Sequence, residues 1–315
     1  MQISQQLQLP TNFRRQDFFS FHQRDNHMLA ERWSDQQLSK GIFWNQLPAR
    51  LQFSFTSPKT VQITLDIDSG RKKLSAEKTA QQLQQLTIHM LGLNQATAEF
   101  EQAAAQQPDI SALVARQAGL RVPQAASPFE ALSWAITGQQ ISLGAATAIR
   151  RNLIARAGMQ HSSGIYCYPQ AEHILALDLT DLRACGFSQS KAATLHGLAH
   201  LSSTEELPLA QWLNQYWNGA PLAAEEIYNR LIGIKGIGPW TVHYALLRGF
   251  GWLDGSLHGD VAVRRNLQQL LRTQNKFQSE EKISEAKTKL WLARFSPWRA
   301  LVAAHLWAMQ KTEGY

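Results

Sequence analysis

The sequence predicts an α+β protein in which a mixed α/β domain precedes an all-α body. Three observations carry this. Strict two-residue alternation of apolar side chains is confined to residues 51–67. Beyond about residue 101 the pattern is helical, broken at short intervals by Pro, Gly and Ser clusters. At 315 residues, 44% of them hydrophobic and 17% charged, the chain can bury more than one core.

Each element follows in turn. Leu51, Phe53 and Phe55, then Val61, Ile63, Leu65 and Ile67, alternate with polar residues on both sides of Ser57-Pro58-Lys59, as in a β-hairpin with one buried face. After Asp68-Ser69-Gly70, the stretch 75–93 carries Leu83, Leu86, Ile88, Met90 and Leu91 at helical spacing. Residues 1–100 therefore read as a mixed α/β domain. Residues 101–315 read as a helical body of two lobes with a cleft between them. Its breakers include Gln107-Pro108-Asp109, Ser127-Pro128, Gly186-Phe187-Ser188, Gly219-Ala220-Pro221 and Ser296-Pro297.

Composition excludes several classes. Two cysteines, Cys167 and Cys185, cannot form a disulfide framework, a four-thiolate zinc site or an iron-sulfur cluster, and they read as small buried hydrophobes. The N-terminus lacks an apolar signal core, and no run of 18 apolar residues occurs, so a cytoplasmic protein without a membrane partner is expected. The 31 Lys and Arg against 24 Asp and Glu leave a net charge of +7, which suits a polyanionic partner or merely a basic surface. His196 and His200 stand four apart, but without a carboxylate at useful spacing they do not make a metal site.

The most informative stretch lies within 228–250, LIGIKGIGPWTVHYALLR at 231–248. A helix, a Gly-x-Gly turn and a second helix opened by Pro239 aim free amides and a positive helix end at one place. A phosphodiester docks on such a turn without any charged side chain, with Gly236, Gly238 and the first-turn Thr241 as contacts. The same glycines also suit a plain helix connector. Trp240 and Tyr244 share a helix face one turn apart, although aromatics at that spacing are as often core. Asp260 opens the amphipathic stretch VAVRRNLQQLL, where Asp is a favoured cap with no further duty.

LIGIKGIGPWTVHYALLR together with GSLHGDVAVRRNL at 255–267 resembles the helix-hairpin-helix DNA glycosylase superfamily. With PFEALSWAITGQQIS at 128–142, GFSQSKAATL at 186–195 and PWRALVAAHLWAM at 297–309, the chain is similar more narrowly to AlkA-type DNA-3-methyladenine glycosylase II. The likeness runs in order from about residue 110 to the end. It implies a DNA glycosylase of base excision repair that flips an alkylated purine out of duplex DNA and hydrolyses its glycosidic bond.

By that likeness Asp260 is the catalytic carboxylate, and Trp240, Tyr244, Trp307 and Phe21 surround the base. Gln140 wedges into the stack beside a less assignable Gln139, and Lys191 touches a phosphate. The carbonyls of Ile232, Ile234 and Ile237 hold a monovalent cation; no other cofactor is implied. A methylated purine is cationic, so indole faces suit it. Pro239 and Trp240 follow Gly238 where lyase relatives carry a lysine, which implies hydrolysis without strand cleavage. Val261 replaces a tyrosine found after the aspartate in the best-known member, and the charged stretch 272–289 appears lengthened and reads as a surface excursion. A monomer working at the nucleoid is expected. Glycosylases preferring hypoxanthine or bulky adducts, and a non-catalytic binder of DNA structure, are the alternatives.

Overall fold

Residues 1–277 and 281–309 are described by a computed structural model of the chain. Strands β1 (Gln2–Gln8), β2 (Glu31–Trp33), β3 (Gln37–Trp44), β4 (Leu47–Ser54) and β5 (Thr60–Ile67) form one antiparallel sheet in the order β1-β5-β4-β3-β2. The alternating stretch is the β4–β5 hairpin, with Leu51 opposite Leu65 and Phe53 opposite Ile63, all buried. Helix α1 (Arg15–His22) and helix α2 (Ala76–Met90) contribute Phe18, Phe19, Leu83, Leu86 and Met90 to the same core. Ser75 caps α2 by accepting the amide of Lys78.

Strands β1 to β3 escape a reading by alternation, for two reasons. β1 is an edge strand whose outer positions are glutamines and serine, and β3 is covered on both faces from Lys40 to Trp44. The β3–β4 turn consists of Asn45 and Gln46, both left-handed at φ +48° and +65°, as a two-residue hairpin requires.

The remaining named elements among the described residues are helices: α3 (Thr97–Ala105), α4 (Ser111–Arg116), α5 (Pro128–Gly138), α6 (Leu143–Ala157), α7 (Ala171–Leu175), α8 (Leu179–Ala184), α9 (Gln189–Ser203) and α10 (Leu209–Trp217). They continue through α11 (Ala224–Ile232), α12 (Pro239–Phe250), α13 (Val261–Thr273), α14 (Glu285–Ala293) and α15 (Arg299–Trp307). Two apolar cores divide them. One unites α3, α4, α13, α14 and α15; the other unites α6 to α11. Helices α5 and α12 serve both, since Trp134 and Tyr244 enter the first core while Phe129, Leu132, Val242 and Phe250 enter the second. This spine carries the hairpin and the Gln139-Gln140 turn.

A buried ionic knot joins the sheet to the spine. Lys40 Nζ lies 2.5 Å from Glu31 Oε1 and 2.6 Å from Glu130 Oε1, and Arg150 donates to both oxygens of Glu31 at 2.7 and 3.0 Å. Burial alone would push the Glu31 carboxyl up; the charges and hydrogen bonds of Arg150 and Lys40 outweigh it and hold the group well below the usual range. Removing one partner of such a knot leaves a buried charge and costs about 3–5 kcal/mol.

Within the stretch 272–289, α13 runs to Thr273 and α14 begins at Glu285, and most of the described residues are exposed. The portion at 278–280 lies outside the described residues.

Candidate active site

The two hairpin glycines have different causes. Gly236 sits at φ +90°, and a Cβ there would lie 2.1 Å from Thr194 Oγ1 of α9. That side chain is held in place, since Thr194 Oγ1 donates to the carbonyl of Lys235 at 3.0 Å. The fold itself therefore demands glycine at 236. Gly238 is the residue before α12, at φ −103° and ψ 174°, and a Cβ there would meet nothing within 4 Å. Bare backbone at this helix end faces open space, with room for an external anion.

Trp240, Tyr244 and Arg248 follow at four-residue steps along one face of α12. The Trp240 and Tyr244 rings lie 5.3 Å apart, tilted by 34°. Tyr244 is buried in the first core, whereas Trp240 and Trp307 are half-buried.

Asp260 caps α13, accepting the amide of Val263 on Oδ1 at 2.9 Å. Its carboxylate does more than cap. Trp240 Nε1 donates to Oδ2 at 3.0 Å and Trp307 Nε1 donates to Oδ1 at 3.1 Å. Three donors from three helices thus fix one buried carboxylate, and the two indoles are fixed by it in return. Chemically the arrangement is an oriented negative charge at the edge of two aromatic rings.

The neighbouring turn is braced rather than loose. Gln140 is exposed and left-handed at φ +56°, while Gln139 Nε2 donates to the carbonyl of Gly236 at 3.0 Å and to Thr241 Oγ1 at 2.9 Å. Thr241, read from sequence as a DNA contact, is 2% exposed, so its side chain serves this brace instead. Lys191, read as a phosphate contact, donates from Nζ to the carbonyls of Thr137 and Gln139 at 2.9 and 2.6 Å. It neutralises the C-terminal end of α5, and partial burial lowers its pKa. Of the hairpin carbonyls, that of Ile234 accepts the amide of Ile237 at 3.0 Å, which leaves it one lone pair for a cation. Among the described residues no group of three or more His, Cys, Asp or Glu can hold a metal. No described helix is long and apolar enough to cross a membrane.

Phe21 reaches the rear of the site from α1, 6% exposed. Two residues that sequence reasoning passed over accompany it: the guanidinium carbons of Arg24 and Arg248 lie 4.0 and 4.3 Å from its ring centroid. The signal was present for Arg248, a lone charge in the apolar run ALLRGF at the same helix phase as Trp240. Arg24 gave none. Val261, beside the aspartate, is 70% exposed. At the other side of the loop, His258 accepts or donates at Ser256 Oγ (2.8 Å) and places Nε2 3.6 Å from Glu285 of α14.

A capping aspartate behind a helix-hairpin-helix, on a body of two helical cores, defines a class. The profile of the HhH-GPD superfamily base excision DNA repair proteins matches residues 133–293, and the chain belongs to that superfamily. A DNA-3-methyladenine glycosylase of Bacillus subtilis is 30% identical over 190 residues, covering 58% of this chain and 60% of that relative. The match thus spans about three fifths of the relative's length. Among solved structures, the 3-methyladenine DNA-glycosylase of Archaeoglobus fulgidus shares the fold across 96% of this chain and 97% of its own, with a TM-score of 0.77 at 21% identity. The 3-methyladenine DNA glycosylase of Schizosaccharomyces pombe, solved in complex with abasic DNA, aligns over 69% of this chain and 98% of its own, with a TM-score of 0.56 at 25% identity.

Proposed function

We propose that the chain is a monofunctional DNA glycosylase that hydrolyses the glycosidic bond of alkylated purines, of the 3-methyladenine and 7-methylguanine kind, in duplex DNA. The observation that carries this reading is the Asp260 carboxylate held by Trp240 and Trp307. A structural cap needs only the Val263 amide; two indole donors make sense if charge and rings must meet a substrate in fixed register.

Each residue then has a task. The open amides beside Gly238 take a phosphate, and Gln140 fills the gap left by the expelled nucleotide. Trp240 and Trp307 flank the base, whereas Tyr244, expected from sequence to line the pocket, is buried and backs the Trp240 ring from the core. As the bond from sugar to base breaks, positive charge grows on the sugar, and the fixed carboxylate of Asp260 lowers its energy and orients water toward C1′. Pro239 and Trp240 follow Gly238 where lyase relatives carry a lysine, so no amine stands there to form a Schiff base and the strand stays intact. A monovalent cation on the carbonyls of Ile232, Ile234 and Ile237 would steady the phosphate end of the hairpin. The partner is damaged duplex DNA, bound by a monomer.

The test is base release from methylated duplex DNA by the wild type and by Asp260→Asn, with strands examined without alkali. Methylpurine release that the variant loses, with intact strands, supports the reading. Binding without release by the wild type sinks it.

A further inference from the structure

Behind the candidate catalytic carboxylate the side chains form one alternating column of rings and cations. Arg24 Cζ lies 4.5 Å from the Trp134 ring centroid and 4.0 Å from that of Phe21. Arg248 Cζ lies 4.3 Å from the Phe21 centroid and 5.5 Å from that of Trp307. Trp307 in turn holds Asp260. The column therefore runs Trp134, Arg24, Phe21, Arg248, Trp307 and ends at the carboxylate.

The faces of these rings, which would attract a cationic base, already carry cations of the protein. Arg248 is 6% exposed and is pinned by donating from Nη1 to the carbonyl of Pro123 at 2.8 Å. It does not move aside easily. Burial lowers its pKa to about 10, so it stays charged at neutral pH. On Arg24, Nε and Nη2 are buried and meet no acceptor among the described residues. A small cavity of about 10 Å³, room for a single water, is lined by Phe21, Arg24, Trp134, Tyr244 and Arg248, with the Arg150- and Lys40-bound carboxylates Glu31 and Glu130 also on its wall. Buried donors left over on Arg24 are expensive unless a ligand or water supplies acceptors.

We propose that Arg248, assisted by Arg24, is a specificity-determining group that meets the acceptor edge of the departing purine and extends release to neutral bases alongside the cationic alkylpurines. The inference rests on the glycosylase reading above. When the glycosidic bond breaks, its electron pair passes to the base nitrogen. A 7-methylguanine leaves as a neutral molecule, and water adds to C1′ while releasing a proton to solvent. A neutral base such as hypoxanthine leaves as an anion and takes up that proton. Negative charge grows on the base in both cases, and a planar guanidinium stabilises it. The two substrates differ before the bond breaks. The cation is repelled by Arg248 on binding, and the neutral base is not, so the guanidinium discriminates between them.

The experiment compares single-turnover release of hypoxanthine and of 7-methylguanine from otherwise identical duplexes by wild type, Arg248→Met, Arg248→Lys and Arg24→Met. Release of 7-methylguanine by the wild type establishes the glycosylase reading independently of this inference. The expected result for Arg248→Met is a fall of 10-fold or more in the ratio of kcat/KM for hypoxanthine to kcat/KM for 7-methylguanine. Arg248→Lys recovers part of the loss because the charge returns, and Arg24→Met shifts the same ratio by a smaller factor. Equal losses on both substrates, an unchanged ratio in Arg248→Met and Arg24→Met alike, or no hypoxanthine release by a wild type that releases 7-methylguanine each overturn it. If the wild type releases neither base, the glycosylase reading itself is wrong and this inference falls with it.

Discussion

The indole nitrogen of Trp307 donates to Asp260 Oδ1 across 3.1 Å, so the last described helix and the residue capping α13 are locked together. Replacing Trp307 by Phe keeps an aromatic wall and deletes the donor. A hydrogen bond to a charged group contributes about 1.5–3 kcal/mol, so base release should slow by roughly 10- to 100-fold. Trp307→Ala should slow it further, since the wall goes too. Single-turnover base release beside thermal melting checks this. A Trp307→Phe protein that melts early but releases bases at the normal rate would make the ring a core residue.

The glycine pair separates fold from binding. Gly236→Ala puts a methyl where Thr194 Oγ1 already lies, at a φ of +90° that alanine avoids, and should destabilise the protein by about 1–3 kcal/mol in urea titrations. Gly238→Ala meets no neighbour in the protein, so stability should hold within about 0.5 kcal/mol. DNA affinity should nevertheless fall, because the methyl covers the open amides. Full affinity in Gly238→Ala would remove the hairpin from the phosphate-binding surface.

Lys191 offers a test by salt. Each phosphate contact changes the slope of log K against log salt by about 0.9. Two of the three ammonium N–H groups are held by carbonyls of the α5 end, so Lys191→Met should leave that slope unchanged while lowering the melting temperature and loosening the turn that carries Gln140. A shallower slope would return Lys191 to the DNA interface.

Acid should weaken the fold through buried histidines. Burial drives His22 well below its ordinary value and lowers His89 and His305 to about 3; His305 also shares a hydrogen bond with Gln117 at 2.8 Å. All three are neutral in the folded chain, whereas the unfolded chain takes up protons below pH 6.5, so the stability they preserve is complete above that pH and declines beneath it. Each histidine contributes a slope of about 1.4 kcal/mol per pH unit. The depressed carboxyl of Glu31 adds its own loss only as pH falls below its ordinary value of 4.5. Urea titrations at pH 7.5, 6 and 5 should show the decline, and His89→Phe should remove only part of it, since burial also lowers His243 to about 4. A flat profile between pH 7 and 5 would mean these rings protonate in place.

The sequence by itself determined the elements whose cause is local. The β4–β5 hairpin was legible because one face is buried and the period of two repeats without interruption. The glycine turn, Pro239 and the four-residue step from Trp240 to Tyr244 likewise announce a hairpin with an aromatic helix face. Two-faced burial hid β3, and an edge position hid β1.

Tertiary structure alone decided what each chemistry-bearing side chain meets. Asp260 looked equally like a plain cap until α12 and α15 brought two indoles to it. Lys191 and Thr241 read as DNA contacts from sequence, and the fold engages the Lys191 ammonium and the Thr241 hydroxyl with α5 and its turn. The guanidinium of Arg248 meets Phe21 across 227 residues of chain, by way of an ionic knot that seats the sheet on α5 and α6. Pairings between residues so distant in sequence leave no periodic trace along the chain, because they arise only when separate cores pack against one another.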